Sequence, residues 1–390
     1  MNMKVLQGNV DCAPGEVGYD AARLEAVNTF FARMIEDKVI HGVSYRVARR
    51  GKVFAAAALG SRHYKDPGVP MLPDSIFGVA SQTKSLTAVA IQMLVEDGRV
   101  SIEDPVHKYL PQFDGAPYSG ITLFHLLTHT SGLYPEGSIP DKHHRDCFWH
   151  IEQQYKLDGK DTDWVAAGLR AGMRKKPGEE WQYCSFGIMV LGEIIQAVTG
   201  VAPEDFIINQ ICKPLGMTDT AFAPTADMAS RAVIFNDWDE KWTDAAIKGE
   251  RVDDGIWDIM NGMAWGLISS IPDMTRFGRM LQNGGRLDGV RVLGRKAIET
   301  MATQYLDNVP DHCWGANTKA RFYGLGVDMR RFTGSLTSPG TYFHEGSGHS
   351  VTIVDPVEEM VCSCVYPWVN DQWNGDCNNR LYNVVWSGIQ

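Results

Sequence analysis

The sequence predicts a mixed α/β fold of the α+β kind: an antiparallel sheet formed by both chain ends, flanked by helices, with a mostly helical lobe inserted. Three observations predict it. Strand-like runs lie near the N-terminal end (43–59) and near the C-terminal end (341–365). Apolar residues at helical spacing dominate the stretch between them. The chain has 390 residues, 44% hydrophobic and 22% charged, enough to bury a large core without disulfides or metals.

The elements follow in order. A first helix is expected from about Ala21 to Asp37, with Leu24, Val27, Phe30, Phe31 and Met34 on one face. Strands Val43 to Arg49 and Lys52 to Leu59 follow, joined by a tight turn at Arg50-Gly51. A second helix carries Leu86, Val89, Ala90, Met93 and Leu94, and Gly98 ends it. Ser101 to Asn261 reads as helices and loops, including helices Ile188 to Val198 and Pro203 to Ile211. Asp273 to Leu281 is a further helix. Thr341 to His344, Ser350 to Val354 and Met360 to Val365 read as consecutive strands, and Leu381 to Trp386 as a final helix. The expected division is one α/β lobe from residues 1–80 and 262–390, and a helical lobe from 81–261. The default ligand site lies between them.

The formal net charge of −10 argues against nucleic acid and anionic membrane as partners. No apolar run is long enough to span a bilayer, and no secretory signal is visible at Met1 to Gly8. Eight dispersed cysteines read mostly as free thiols. Together these lead us to expect a cytoplasmic protein. The composition does not predict an oligomeric state.

Three short elements could carry chemistry. Ser81 and Lys84 stand three apart at the opening of the second helix, so their side chains share a face. A lysine beside a serine lowers the cost of an alkoxide. A chain of this length holds about one or two such pairs by chance, so the pair alone is weak. Tyr183 lies in Trp181-Gln182-Tyr183-Cys184-Ser185 ahead of an apolar helix. A tyrosine near a lysine can act as a base, because the ammonium stabilises its phenolate. The bland alternative is a core tyrosine. Phe343-His344-Glu345-Gly346-Ser347-Gly348-His349 opens a strand, where glycines admit a substrate and free N–H groups can hold an oxyanion.

In this order and spacing the three elements resemble the serine β-lactamase and penicillin-binding-protein superfamily, above all its class C β-lactamase-like branch. That branch includes the family VIII carboxylesterases and the D-amino-acid peptidases and amidases. The stretches Ile121 to Leu133, Lys213 to Thr220, Gly266 to Ser270 with Asp273 to Phe277, and Tyr323 to Gly326 resemble it too. The resemblance runs from roughly Ala21 to Asp355.

It implies a β-lactamase/transpeptidase-like fold and a catalytic set of Ser81 as nucleophile, Lys84 and Tyr183. The backbone N–H groups of Ser81 and Ser347 would form the oxyanion hole. Ser185, His344, Glu345 and Gly346 would contact substrate. Ser185 replaces an asparagine common at that place, and His344-Glu345-Gly346 replaces Lys-Thr-Gly. A mostly neutral histidine and an anionic glutamate suit a β-lactam carboxylate poorly. The resemblance therefore implies an acyl-enzyme hydrolase acting on small esters, with weak or no β-lactamase activity and no cofactor. A peptidase or amidase for D-amino-acid substrates, or a β-lactamase, is the alternative. A non-catalytic binding protein on the same scaffold would usually have lost one of the three catalytic residues.

Other signals have blander readings. His143, Cys147 and His150 have helical ligand spacing but no second pair, so no metal is expected. His125 and His129 are expected to fix the loop beside the cleft through buried hydrogen bonds. The tryptophan-rich segment 236–265 would be either a wall over the cleft or packing between lobes.

Overall fold

The computed structural model describes residues 3–135, 146–313, 316–329, 334–347, 350–369 and 375–390. Strands are β1 (Leu6–Gln7), β2 (Gly42–Arg49), β3 (Lys52–Gly60), β4 (Ile76–Gly78), β5 (Ile268–Ser270), β6 (Arg286–Leu287), β7 (Val290–Arg291), β8 (Asp328–Met329), β9 (Tyr342–Gly346), β10 (Ser350–Asp355) and β11 (Met360–Val365). Helices are α1 (Ala21–Glu36), α2 (Thr83–Glu96), α3 (Leu123–Leu127), α4 (Cys147–Asp158), α5 (Trp164–Leu169), α6 (Ser185–Thr199), α7 (Pro203–Ile207), α8 (Ala226–Ser230), α9 (Asp237–Lys248), α10 (Ile271–Gln282), α11 (Arg295–Met301) and α12 (Gly375–Trp386).

The main sheet is antiparallel, in the order β1-β3-β2-β11-β10-β9-β8. Its middle pairs the two ends of the chain, with Val47 of β2 opposite Cys362 of β11. The β2–β3 turn is tight because Arg50 and Gly51 both adopt positive φ, 49° and 75°. Alternation along β2 and β11 separates two cores. Val43, Tyr45, Val47, Cys362 and Cys364 pack with α1 and α12 on one face. Ala48, Val361 and Val365 belong to the larger core on the other face, with α2, α6 and α10. Helix α10 lies close on the sheet. A Cβ at Gly278 would stand 2.6 Å from the Val361 side chain, so that position requires glycine.

Two differences from the expected elements matter for the site. A short ladder pairs Ile76 with Ser270 and Gly78 with Ile268, tying the start of the helical segment to its end. Three-residue strands almost two hundred positions apart leave no local periodicity to read. Ser81 also lies outside α2. It sits in a one-turn 3-10 helix, Ala80–Gln82, that feeds the α-helix. The helix expected from Pro203 to Ile211 runs as α7 and continues as a π turn, Ile208–Cys212. Among the described residues no single helix is long and apolar enough to cross a membrane.

Candidate active site

The site is built around a lysine with no exposed surface. Lys84 stands in the first turn of α2, and its ammonium must be satisfied inside the protein. Its Nζ donates to Ser81 Oγ at 3.0 Å and to the Ala264 carbonyl at 2.8 Å. It also lies 4.7 Å from the centroid of the Tyr183 ring. The structure thus gathers Ser81, Lys84 and Tyr183 around one ammonium. The Ala264 carbonyl was not foreseen. It belongs to Gly262-Met263-Ala264-Trp265, which ends just before the recognisable Gly266 stretch.

The turn holding Ser81 is strained and braced. Ala80 is a non-glycine residue at φ 47°. Thr83 Oγ1 donates to the Ala80 carbonyl at 2.7 Å, Val79 N–H to Leu267 O at 2.9 Å, and Gln82 Nε2 to Ser350 Oγ at 2.8 Å. The last bond ties the turn to β10. Opposite it, Gly346 admits β9 against the turn, because a Cβ there would sit 2.3 Å from the Val79 carbonyl oxygen. Ser347 follows with φ 24°, a second left-handed position for a side-chain-bearing residue. Close approach at Gly346 brings the chain at Ser347 beside the turn that carries Ser81.

Tyr183 is held by a histidine. Cys184 N–H donates to His129 Nδ1 at 3.2 Å, and Gln182 N–H donates to the His129 carbonyl at 2.9 Å. The two bonds bracket Tyr183, whose ring lies 4.6 Å from the imidazole. Because Nδ1 accepts, the His129 proton sits on Nε2. Burial, with Lys84 nearby, pushes this imidazole well below its ordinary range, so it is neutral. His125 acts locally: its Nδ1 accepts from Thr122 N–H at 3.1 Å, capping α3. Ser185, buried, begins α6.

A further brace escaped sequence reading. Arg321 lies 4.1 Å over the Trp181 ring, 3.3 Å from Asp311, and paired with Asp328. Trp181 N–H donates to Pro310 O at 2.9 Å, and Gln182 Nε2 to Cys313 Sγ at 3.2 Å. Pro310, Asp311, Cys313 and Arg321 therefore support the segment bearing Tyr183. An arginine before an aromatic run carries no local mark of this role.

The third element splits across the sheet. His344 faces the site, with its ring 6.5 Å from that of Tyr183. Its Nδ1 lies 2.8 Å from the Glu345 carbonyl, which can only accept, so the proton is on Nδ1. Nε2 is then a bare acceptor, with no hydrogen-bond partner among the described residues. Burial first, and then Lys84, push the imidazole down to about 3. Glu345 corrects the expectation that it would contact substrate. Strand alternation turns it to the opposite face, where Asn378 Nδ2 of α12 donates to its Oε1 at 2.8 Å.

The remaining candidates fall elsewhere. His143 lies outside the described residues. Cys147 is fully buried at the start of α4, and no cluster among the described residues could hold a metal. In the tryptophan-rich segment, Trp257 and Trp265 pack with Phe148 of α4 at ring distances of 5.2 and 5.7 Å. Trp238 pairs with Trp242 on α9 at 5.8 Å and is largely exposed.

Comparison with known proteins agrees with this geometry. The family model described as Beta-lactamase matches residues 27–366. Protein Rv1367c of Mycobacterium tuberculosis (strain ATCC 25618 / H37Rv) is 30% identical over 297 residues, 69% of either chain. Esterase EstB of Burkholderia gladioli is 33% identical over 230 residues, 56% of this chain and 55% of its own. The crystal structure of a family VIII carboxylesterase shares the fold, with a TM-score of 0.72, 18% identity, and coverage of 97% of this chain and 100% of that one. A site of this build within a match of this extent places the chain in the β-lactamase family, as a serine hydrolase.

Proposed function

We propose that this hydrolase is an esterase for small carboxylic esters, working through an acyl-enzyme on Ser81. The observation that carries the reading is the neutral His344 beside the buried ammonium of Lys84. Where relatives with Lys-Thr-Gly offer a cation, this chain offers a lone pair. A substrate carboxylate placed there gains no ion pair and meets an acceptor. A neutral ester incurs no such penalty.

The residues divide the work as follows. Lys84, bonded to Ser81 Oγ and lying over Tyr183, holds Tyr183 as the phenolate, the form that can accept a proton. Tyr183 takes the Ser81 proton as Oγ attacks the ester carbonyl. The carbonyl oxygen becomes an oxyanion, held by the N–H groups of Ser81 and Ser347. Tyr183 returns the proton to the departing alkoxide, leaving an acyl-serine and an alcohol. A water molecule then gives its proton to Tyr183 and adds to the acyl carbon. Ser81 leaves with that proton, and the carboxylic acid is released.

Turnover of p-nitrophenyl butyrate, D-alanine amides and nitrocefin, compared by kcat/KM, tests the reading. The ester should lead by orders of magnitude. Preferred hydrolysis of the D-amino-acid amide would replace the proposal with a peptidase or amidase, and equal hydrolysis of nitrocefin would remove the role given to His344.

A further inference from the structure

Arg46 stands in the middle of β2, on the face shared with α10, and is the one residue of that strand not fully buried. Its cross-strand neighbours are small: Ala56 on β3 and Ser363 on β11. The Nε of its guanidinium has no hydrogen-bond partner among the described residues, and Asp11 and Asp273 act on its charge only through space. The carboxylates around it are committed elsewhere. Asp11 accepts from Val53 N–H at 2.8 Å, and Asp74 pairs with Arg231 at 3.5 Å. Asp273 accepts from Thr220 Oγ1 at 2.9 Å and from Asp219 N–H at 2.7 Å. Arg276 and Arg279 add positive charge nearby.

This guanidinium opens into a pocket of about 240 Å³, lined also by Gln7, Gly8, Asn9, Pro73 and Asp74. The pocket shares no lining residue with the site around Ser81. A half-buried guanidinium in a pocket that Gln7 and Asn9 also line presents a fork of donors matched to a planar or tetrahedral oxyanion.

We propose that Arg46 anchors a second, non-catalytic site that binds a small oxyanion, a carboxylate or an inorganic phosphate. Calorimetric titration of the full chain with sodium phosphate and, separately, with sodium butyrate tests it, at ionic strength fixed with sodium chloride. At least one anion should bind saturably, and the tighter of the two identifies the source. Binding should weaken at least about tenfold in Arg46→Gln and in Asn9→Asp. Asn9 is exposed, so Asn9→Asp keeps the fold and places a like charge in the pocket. Ester turnover of Asn9→Asp should equal that of the parent protein. Two results would overturn the site: no saturable binding of either anion, or affinities unchanged in both variants. The second would place the anion elsewhere, such as beside Lys84.

Discussion

Replacing His344 with glutamine should change how stability depends on pH, by an amount the structure fixes. His344 is 7% exposed, and burial beside Lys84 and Arg321 holds its imidazole at about 3. In the unfolded chain it returns to about 6.5. Between those values the unfolded state carries a proton that the native state refuses. The stabilising contribution is therefore complete above pH 6.5 and is lost as pH falls toward 3. The slope is about 1.4 kcal/mol per pH unit, so moving from pH 7.5 to 5.0 costs about 2 kcal/mol. Other buried groups titrate in the same range. His129, His125 and His41 are lowered like His344, whereas Asp239 and Asp273 are pushed up to about 6 and act in the opposite sense. Because both proteins share them, they cancel in the difference. Urea denaturation of the wild type and His344→Gln at both pH values gives that difference directly. The stability of the wild type relative to the variant should fall by about 2 kcal/mol on acidification. An unchanged difference would mean that His344 takes up its proton in the native state as readily as in the unfolded chain, and that its surroundings do not hold it neutral.

The other predictions concern catalysis. Lys84→Ala and Tyr183→Phe should each lower kcat by about a hundredfold or more, with the double variant scarcely worse than either single one. Losses that multiply would separate the two residues into independent roles. Gly346→Ala forces a methyl group against the Val79 carbonyl at 2.3 Å, so kcat should fall by about a hundredfold as β9 moves off the nucleophile turn. A crystal structure of that variant with β9 in place would contradict the account. His344→Lys should raise nitrocefin kcat/KM relative to p-nitrophenyl butyrate by about tenfold, while Glu345→Thr should leave the ratio nearly unchanged. A strong effect of Glu345→Thr alone would place that side chain on the substrate face.

Much of the fold was legible because its signals are local. The β2–β3 hairpin needs only alternation and a turn with two left-handed residues, and Arg50-Gly51 supplies both. Helix α6 runs from Ser185 to Thr199, and Gly200, with φ of 75°, stops it as a C-terminal glycine does. Helices α4, α5 and α9 were not individually foreseen. Helix α9 has no fully buried residue, so its apolar stripe is too thin to read. At the site, Ser81, Lys84 and Tyr183 could be found because each sits in a motif of side chains. The groups that hold them are mostly backbone: the Ala264 carbonyl under Lys84, and the N–H groups of Gln182 and Cys184 on His129. A carbonyl or an N–H is present at nearly every residue, so sequence cannot mark the one that is used. The direction of Glu345 was open for a similar reason. Strand alternation requires only that Glu345 oppose His344, and the bond to Asn378 shows that His344 is the one on the side of Tyr183.

The central claim is that Ser81 is the nucleophile of an acyl-enzyme. Incubation with a fluorophosphonate, followed by peptide mass spectrometry, tests it most directly. The account predicts one covalent adduct per chain, on Ser81, formed in step with loss of esterase activity and absent from Ser81→Ala. An adduct on another residue, or labelling of Ser81→Ala at the wild-type rate, would contradict it.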